Sequence, residues 1–170
     1  MRPILIALAT ALALTACQTG GTEGGSKVYR ISAAKASKVQ YRMLDSINEL
    51  RQASGAGPVK LDSKLNAAAS THARDMSVQN RPWHFGSDGS SPIDRSNRAG
   101  FRGMFIGETI SETFEDELQT LSAWMDKEDT RRIILDPRAT SMGFSWHQER
   151  NGKLWWVLEM GRAGTLVPSS

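Results

Sequence analysis

The chain has 170 residues, a formal net charge of +3 and one cysteine. This length suits a single domain, and a lone cysteine excludes an internal disulfide framework. The charge is small and no basic run is longer than Arg131-Arg132, so the sequence lacks the electrostatic footprint of a nucleic-acid-binding protein. We therefore expect one domain that relies on its hydrophobic core and has no nucleic-acid partner.

The N-terminus predicts an exported protein. Residues 4–14 are almost all Leu, Ile and Ala and follow the basic Arg2. This layout is typical of a secretory signal peptide, and the run is too short to span a bilayer as a mature helix. It ends in the sequence LTAC, which resembles the lipobox of bacterial lipoproteins. The resemblance implies that residues 1–16 are a lipoprotein signal peptide and that Cys17 is acylated; the alternative is a plain signal peptide that happens to end near Cys17.

The segment after the cleavage site predicts an anchor and a spacer. Gly, Ser and Thr dominate between Gln18 and Ser26, and such a composition favours a flexible coil, so residues 17–35 are expected to be the lipidated cysteine and a tether. Two or three acyl chains hold a protein on a bilayer lastingly, whereas one holds it only marginally. We expect a protein of the cell envelope whose partner at Cys17 is the lipid bilayer. In Gram-negative lipoproteins a residue other than Asp after the cysteine, here Gln18, implies the outer membrane.

Residues 36–164 are predicted to form the domain, beginning with two helices. Apolar residues recur at helical spacing over 37–53, and Gly55 with Pro58 ends that helix. Asp62 or Ser63 can cap a second helix, in which we expect His72 to be a core histidine rather than a ligand. The inner face of that helix is predicted to comprise Leu65, Ala69, His72 and Met76.

The rest of the chain adds strands. A strong hairpin turn signal, Asn151-Gly152, separates two aromatic-rich segments. The order of elements favours an α+β fold in which helices pack on a small antiparallel sheet, with residues 165–170 as a tail. The remaining predicted elements are a loop over 81–91, a helix over 92–100, a strand over 105–110, a helix over 114–125, and strands over 141–149 and 153–160.

Several motifs in order along the chain resemble the CAP superfamily, which includes cysteine-rich secretory proteins, insect venom antigen 5 and plant pathogenesis-related proteins. The bacterial branch is the more similar one, and the resemblance covers about residues 40–161. It implies a three-layer α-β-α sandwich. The matching residues are Ile47 to Arg51 with Gly55 and Pro58; Leu65 to Met76; His84, Ser87 to Ser90, Asp94-Arg95 and Ala99 to Phe101; Gly107-Glu108-Thr109-Ile110; Trp124, Arg131, Ile134-Leu135, Pro137 and Gly143; and Leu154 to Val157.

The resemblance also implies a central cleft that is depleted here. Many members place two histidines and two acids in that cleft, and some bind a divalent metal there. His84 matches the first histidine and Glu108 the first acid, whereas Thr130 stands at the second histidine and Lys127 near the second acid. Thr109 also replaces the usual asparagine of the Gly-Glu-Asn-Ile motif.

A metal in this cleft would be short of ligands. Zinc takes three or four N, S or O ligands, and His84 and Glu108 offer two, unless Asp126 or Asp129 approaches. We therefore expect no required cofactor, with His84 and Glu108 as weak candidates for a divalent metal. The predicted ligand cleft comprises His84, Glu108, Thr130, Asp94 and Arg95.

Three functions remain open from the sequence. The first is a non-catalytic binding module of the cell envelope for a lipid or an envelope protein. The alternative is a His-Glu or metal-assisted, peptidase-like hydrolase in the periplasm or at the cell surface, with His84 and Glu108 as catalytic candidates. Its nucleophile would be Ser87, Ser90 or Thr130, and the spacing selects none of them. The third is a scaffold for protein contacts, and in a purely structural interpretation Glu108 only holds His84 and its loop in place.

Overall fold

A computed structural model describes residues 28–164 of the chain. The predicted signal peptide, Cys17 and the predicted tail over 165–170 therefore lie outside the described residues. Within the described range no helix is long and apolar enough to cross a membrane. The elements are α1 (Ala33–Ala53), β1 (Lys60–Leu61), α2 (Ser63–Gln79), α3 (Pro92–Arg98), β2 (Met104–Thr113), α4 (Glu117–Asp126), α5 (Glu128–Ile134), β3 (Ser141–Gln148) and β4 (Leu154–Arg162).

Helices cover both faces of the sheet. Side chains alternate along β4, so Trp156 and Leu158 join the core formed with α1 and α4, while Trp155 and Val157 join the core formed with α2. All four side chains are fully buried, and each contributes about 1.5–3 kcal/mol through burial. The predicted α-β-α sandwich is confirmed, and it explains why two adjacent tryptophans can both be core residues.

The sheet is mixed rather than purely antiparallel. Its strand order is β1-β3-β4-β2, and β1 pairs with β3 in parallel. The hairpin predicted at Asn151-Gly152 is confirmed as the antiparallel β3–β4 pair, with Gly152 at φ 101°. The expectation of an antiparallel sheet is wrong only for β1, because two residues are too few to show a strand period in the sequence.

Close packing of α2 on the sheet depends on Gly143 in β3. A Cβ atom placed there would lie 2.2 Å from the backbone carbon of Leu65. The N-terminal turn of α2 therefore rests directly on the strand. Asp62 caps this helix by accepting hydrogen bonds from the backbone N–H groups of Lys64 and Leu65, as the sequence predicts.

A buried arginine fastens the loops at the far end of α1. Arg51 is fully buried, and its guanidinium donates hydrogen bonds to the carbonyl oxygens of Gly57, Ile134, Asp136 and Ala139 at 2.7–3.1 Å. Burial lowers the pKa of this guanidinium. Four carbonyl oxygens satisfy a charge that would otherwise be costly to bury.

The predicted tether extends too far into the domain. Tyr29 and Ile31 pack against the core, and α1 begins at Ala33, so residues 29–35 belong to the folded unit. The Tyr29 hydroxyl donates a hydrogen bond to the buried Glu117 at 2.7 Å. These residues are polar or small apart from the two apolar side chains, which is why composition alone assigned them to the spacer.

The central part of the chain also differs from the predicted elements. The strand predicted over 105–110 continues to Thr113, and α4 starts at Glu117 with Asp116 as its N-cap rather than at Phe114. Phe114 is 55% exposed and lies outside the core. The helix α5 was not predicted; it is separated from α4 by Lys127, whose backbone is extended.

Candidate functional site

The site lies on the α2 side of the sheet, where β2 and β4 run next to each other. Glu108 of β2 is directly opposite Glu159 of β4. Opposite residues of an antiparallel pair share a face, so two carboxyl groups stand side by side. Both residues are buried, at 4% and 0% exposure.

Glu108 is held by two cationic or potentially cationic side chains. Its Oε1 lies 2.8 Å from Nδ1 of His84, and its Oε2 accepts a hydrogen bond from Arg95 at 2.7 Å. Arg95 is itself buried and also donates to the carbonyl oxygens of His84 and Ser90. Arg95 therefore neutralises Glu108 and fastens the loop that carries His84.

His84 is the solvent-facing member of the site. Its side chain is 52% exposed, whereas the carboxylate of Glu108 is 1% exposed. Because the carboxylate accepts a hydrogen bond, the neutral imidazole carries its proton on Nδ1. The lone pair of Nε2 then faces outwards, which is the arrangement of a histidine oriented by an acid.

A second histidine, His72 of α2, lies behind Glu108. Its Nε2 is 3.0 Å from the carbonyl oxygen of Trp83 and 3.7 Å from the same Glu108 oxygen that contacts His84. It is fully buried as the sequence predicts, and burial lowers its pKa. Its Nδ1 has no hydrogen-bond partner among the described residues. The sequence did not place this core histidine at the site.

Glu159 is a buried acid without a hydrogen-bond partner in the described part of the chain. Burial and, to a smaller extent, the negative charge of Glu108 raise the pKa of its carboxyl, Arg95 opposes both, and the resulting pKa is about 9. The carboxyl is therefore protonated at neutral pH. Sequence analysis missed Glu159; the available signal was one acid within the otherwise apolar β4.

The loop over 81–91 that presents His84 is built from local contacts. Asp75 of α2 accepts hydrogen bonds from the backbone N–H and the hydroxyl of Ser87 at 2.7 and 2.6 Å. Asp88 pairs with Arg98, and both partners are exposed, so that pair contributes little. The hydroxyl of Ser87 is thus already used by Asp75.

Two residues of the predicted cleft make their contacts elsewhere. The Thr130 hydroxyl donates to the carbonyl oxygen of Trp124, and Asp94 forms a capping box with Ser91 at the start of α3. In the described part of the chain neither residue is hydrogen-bonded to His84 or Glu108. Of Asp94 and Arg95, only Arg95 is hydrogen-bonded to Glu108.

The chemistry open to this site is restricted. In residues 28–164 no three His, Cys, Asp or Glu side chains are arranged to hold a metal ion. The three nominated nucleophiles, Ser87, Ser90 and Thr130, make no hydrogen bond with His84 there. What remains is an acid-oriented imidazole facing solvent.

A separate apolar groove of about 480 Å³ lies between α1 and α4. This volume is within the range of small-molecule sites. A neighbouring depression of about 600 Å³ is lined mainly by polar residues of α1, so it offers no apolar surface of comparable extent. The apolar side chains that line the groove are Leu50, Ala53, Leu118, Leu121 and Met125.

Comparison with known proteins identifies the fold. The family model described as CAP, cysteine-rich secretory protein family, matches residues 44–160. The chain belongs to the CAP family. The predicted resemblance is therefore confirmed.

Bacterial CAP relatives are recognisable but distant. The uncharacterised protein YkwD of Bacillus subtilis is 25% identical over 141 residues, which are 83% of this chain and 54% of YkwD. The chain thus spans about half the length of that relative.

Two solved structures share the CAP fold. An extracellular protein of Bacillus anthracis with an SCP domain has a TM-score of 0.67 at 20% identity, covering 79% of this chain and 45% of that one. An outer surface protein of Borrelia burgdorferi has a TM-score of 0.67 at 14% identity, covering 81% of this chain and 100% of that one. At these identities the likeness shows the fold alone.

Proposed function

We propose that this protein is a membrane-anchored CAP module of the bacterial cell envelope that binds a lipid acyl chain in the groove between α1 and α4. The apolar groove carries the proposal, because Leu50, Leu118 and Met125 are among the apolar side chains that it offers to a ligand. An acyl chain gains about 0.8 kcal/mol for each methylene it buries. No cofactor is required for such binding.

The geometry of the histidine site favours binding over catalysis. Both oxygens of Glu108 are already engaged, one by His84 and one by Arg95. A neutralised acid stabilises an imidazolium weakly, and a covalent mechanism needs a nucleophile next to the base. We assign Glu108 and Arg95 the task of holding His84 and its loop.

The acyl-binding role is tested by narrowing the groove. We expect the purified protein to bind a fluorescent fatty acid and Ser122→Trp, which places an indole in the groove, to lose at least tenfold in affinity. Ala123→Trp is the matched control, because Ala123 is the exposed neighbour on α4 and does not line the groove. Equal affinity in both variants, or no binding of the probe by the wild type, contradicts the proposal and leaves a protein ligand as the better candidate.

Anchoring is a separate part of the proposal. The lipobox-like sequence before Cys17 supports it, and CAP proteins of similar fold are described as extracellular or as outer surface proteins. The intact mass of the mature protein should show cleavage before Cys17 and added acyl chains. Cys17→Ser should release the protein from the membrane fraction, and an unmodified Cys17 contradicts anchoring.

A His-Glu hydrolase is the second candidate. It is favoured by the 2.8 Å contact between His84 Nδ1 and Glu108 and by the exposed Nε2. Any hydrolytic activity of the purified protein should then be abolished in His84→Ala and in Glu108→Gln. Calorimetric titration with zinc, magnesium and calcium tests the metal-assisted form, with His84→Ala as the control. Activity that survives in both variants excludes this candidate.

A further inference from the structure

The first described residues contact the domain at the turn of the β3–β4 hairpin. A Cβ atom on Gly152 would lie 2.2 Å from the side chain of Val28, so Val28 rests on the turn. The guanidinium of Arg30 donates hydrogen bonds to the carbonyl oxygens of Glu149 at 3.2 Å and Arg150 at 2.6 Å. These contacts fix where the segment that follows Cys17 meets the folded unit.

The end of β2 and the start of β4 lie at the same end of the sheet. Thr113, the last residue of β2, is paired with Leu154 at the start of β4, so Phe114 follows directly. We define the hairpin end of the domain by Val28, Arg30, Phe114 and Arg150.

The hairpin end combines exposed apolar and basic side chains. Val28 is 44% exposed and Phe114 is 55% exposed, and Arg30 and Arg150 are exposed as well. The acids nearby in the chain are Glu112, Glu115, Asp116, Glu117 and Glu149. Lys153 pairs with Glu112 and Glu149, Arg42 pairs with Glu117, and Asp116 caps α4, which leaves Glu115 as the one without a cationic or capping partner among the described residues. Anionic lipid surfaces attract Arg side chains, and Phe and other apolar side chains of interfacial segments insert at the boundary between headgroups and acyl chains.

The length of chain before Val28 limits how the domain can face a bilayer. Eleven residue steps separate Cys17 from Val28, and even a fully extended chain of that length reaches only about 38 Å. The ten residues of β2 span about 33 Å, at roughly 3.3 Å per residue. Met104, at the other end of β2, could therefore reach the bilayer only if the connecting chain ran almost fully extended along the domain.

We propose that the hairpin end is the bilayer-facing surface of the anchored protein, with Arg30 and Arg150 against lipid phosphates and Val28 and Phe114 at the headgroup level. This inference rests on the acylation of Cys17 in the proposed function. Because the acylated Cys17 is attached close to the hairpin end, this surface has a high effective concentration at the bilayer. Weak contacts with lipid are therefore enough to orient the domain. Phe114 is four residues before Leu118, which lines the groove, so only a short stretch of chain separates the hairpin end from the groove.

The two ends of β2 provide a matched experiment. Cys17 is the only cysteine, so once it is acylated an introduced cysteine is the only free thiol. Phe114→Cys and Met104→Cys place a fluorophore at sites of similar exposure, 55% and 50%. Each full-length protein is reconstituted into vesicles of phosphatidylcholine and phosphatidylglycerol that carry a headgroup quencher.

We expect the label at Phe114 to be quenched at least threefold more than the label at Met104. For each anchored protein, the equilibrium lies between a domain whose hairpin end contacts the lipid and one that has turned away. Arg150→Glu should shift this equilibrium away from contact by on the order of fivefold on these vesicles. Arg102→Glu, at the opposite end, should leave it unchanged. Equal quenching of the two labels, or stronger quenching at Met104, overturns the proposal. Intact mass separates the two claims: an acylated protein with equal quenching refutes only the orientation, whereas an unmodified Cys17 refutes anchoring and orientation together.

Discussion

Replacing Glu159 by Gln should remove a pH dependence of stability that the wild-type protein shows. Burial raises the pKa of the Glu159 carboxyl from 4.5 to about 9. Between these values the native state keeps a proton that the unfolded chain has lost. The free energy of unfolding therefore falls as pH rises through this window, because the unfolded state binds fewer protons there.

The size of the effect follows from the pKa difference. One pKa unit corresponds to about 1.36 kcal/mol, so the contribution of Glu159 to the free energy of unfolding should fall by up to about 4 kcal/mol between pH 5 and pH 8. Gln carries no charge at any pH, so the variant lacks this contribution. The difference in stability between the variant and the wild type should shift in favour of the variant by that amount as the pH rises.

Urea denaturation at pH 5, 6, 7 and 8 measures this difference. Glu115→Gln is the control, because it removes one exposed acid just beyond the end of β2 and leaves the buried pair intact. Its stability should follow the wild-type pH dependence. If the curves of Glu159→Gln and the wild type stay parallel from pH 5 to pH 8, Glu159 ionises as an ordinary carboxyl and the argument from burial is refuted.

Three further substitutions test the packing by urea denaturation. Arg51→Lys should lower the free energy of unfolding by about 3 kcal/mol, because a lysine leaves buried carbonyl oxygens without donors; a loss below 1 kcal/mol would contradict the four-bond assignment. Gly143→Ala should lower the free energy of unfolding by about 3 kcal/mol, because the added Cβ would lie 2.2 Å from the backbone of Leu65. A stability close to that of the wild type would show that α2 can move away from β3. Tyr29→Phe should lower the free energy of unfolding by about 1–2 kcal/mol, because the hydrogen bond to Glu117 is lost. An unchanged stability would indicate that residues 29–35 do not contribute to the folded unit.

Long periodic elements were predictable from the sequence. The second helix follows its N-cap at Asp62, and the hairpin follows Asn151-Gly152, because caps and turn residues act within a few positions of the chain. Two short elements were not, since β1 has only two residues and α5 begins without a capping side chain, whereas α3, which also has seven residues, carries a capping box and Pro92. Such segments are stabilised by their neighbours rather than by their own pattern.

The candidate site was predictable only in part. Motif resemblance placed His84 and Glu108 together, and the structure puts them 2.8 Å apart. Linear matching also nominated Thr130, whose hydroxyl instead bonds to the carbonyl oxygen of Trp124. It missed Glu159 and the place of His72 at the site, because Glu159 lies in a largely apolar strand and His72 on the apolar face of α2. Nothing local reveals their neighbours across the fold.

The sequence by itself determined the domain class, the principal helices, the hairpin and the CAP resemblance, because periodicity, capping and turn chemistry are local properties. Only the tertiary structure decided which polar side chains meet. The strand register sets Glu159 beside Glu108, and the packing of α2 and α3 brings His72 and Arg95 to the same carboxylate. Those contacts arise from strand pairing and layer packing between distant segments, and they determine which groups are charged, neutralised or open to a ligand.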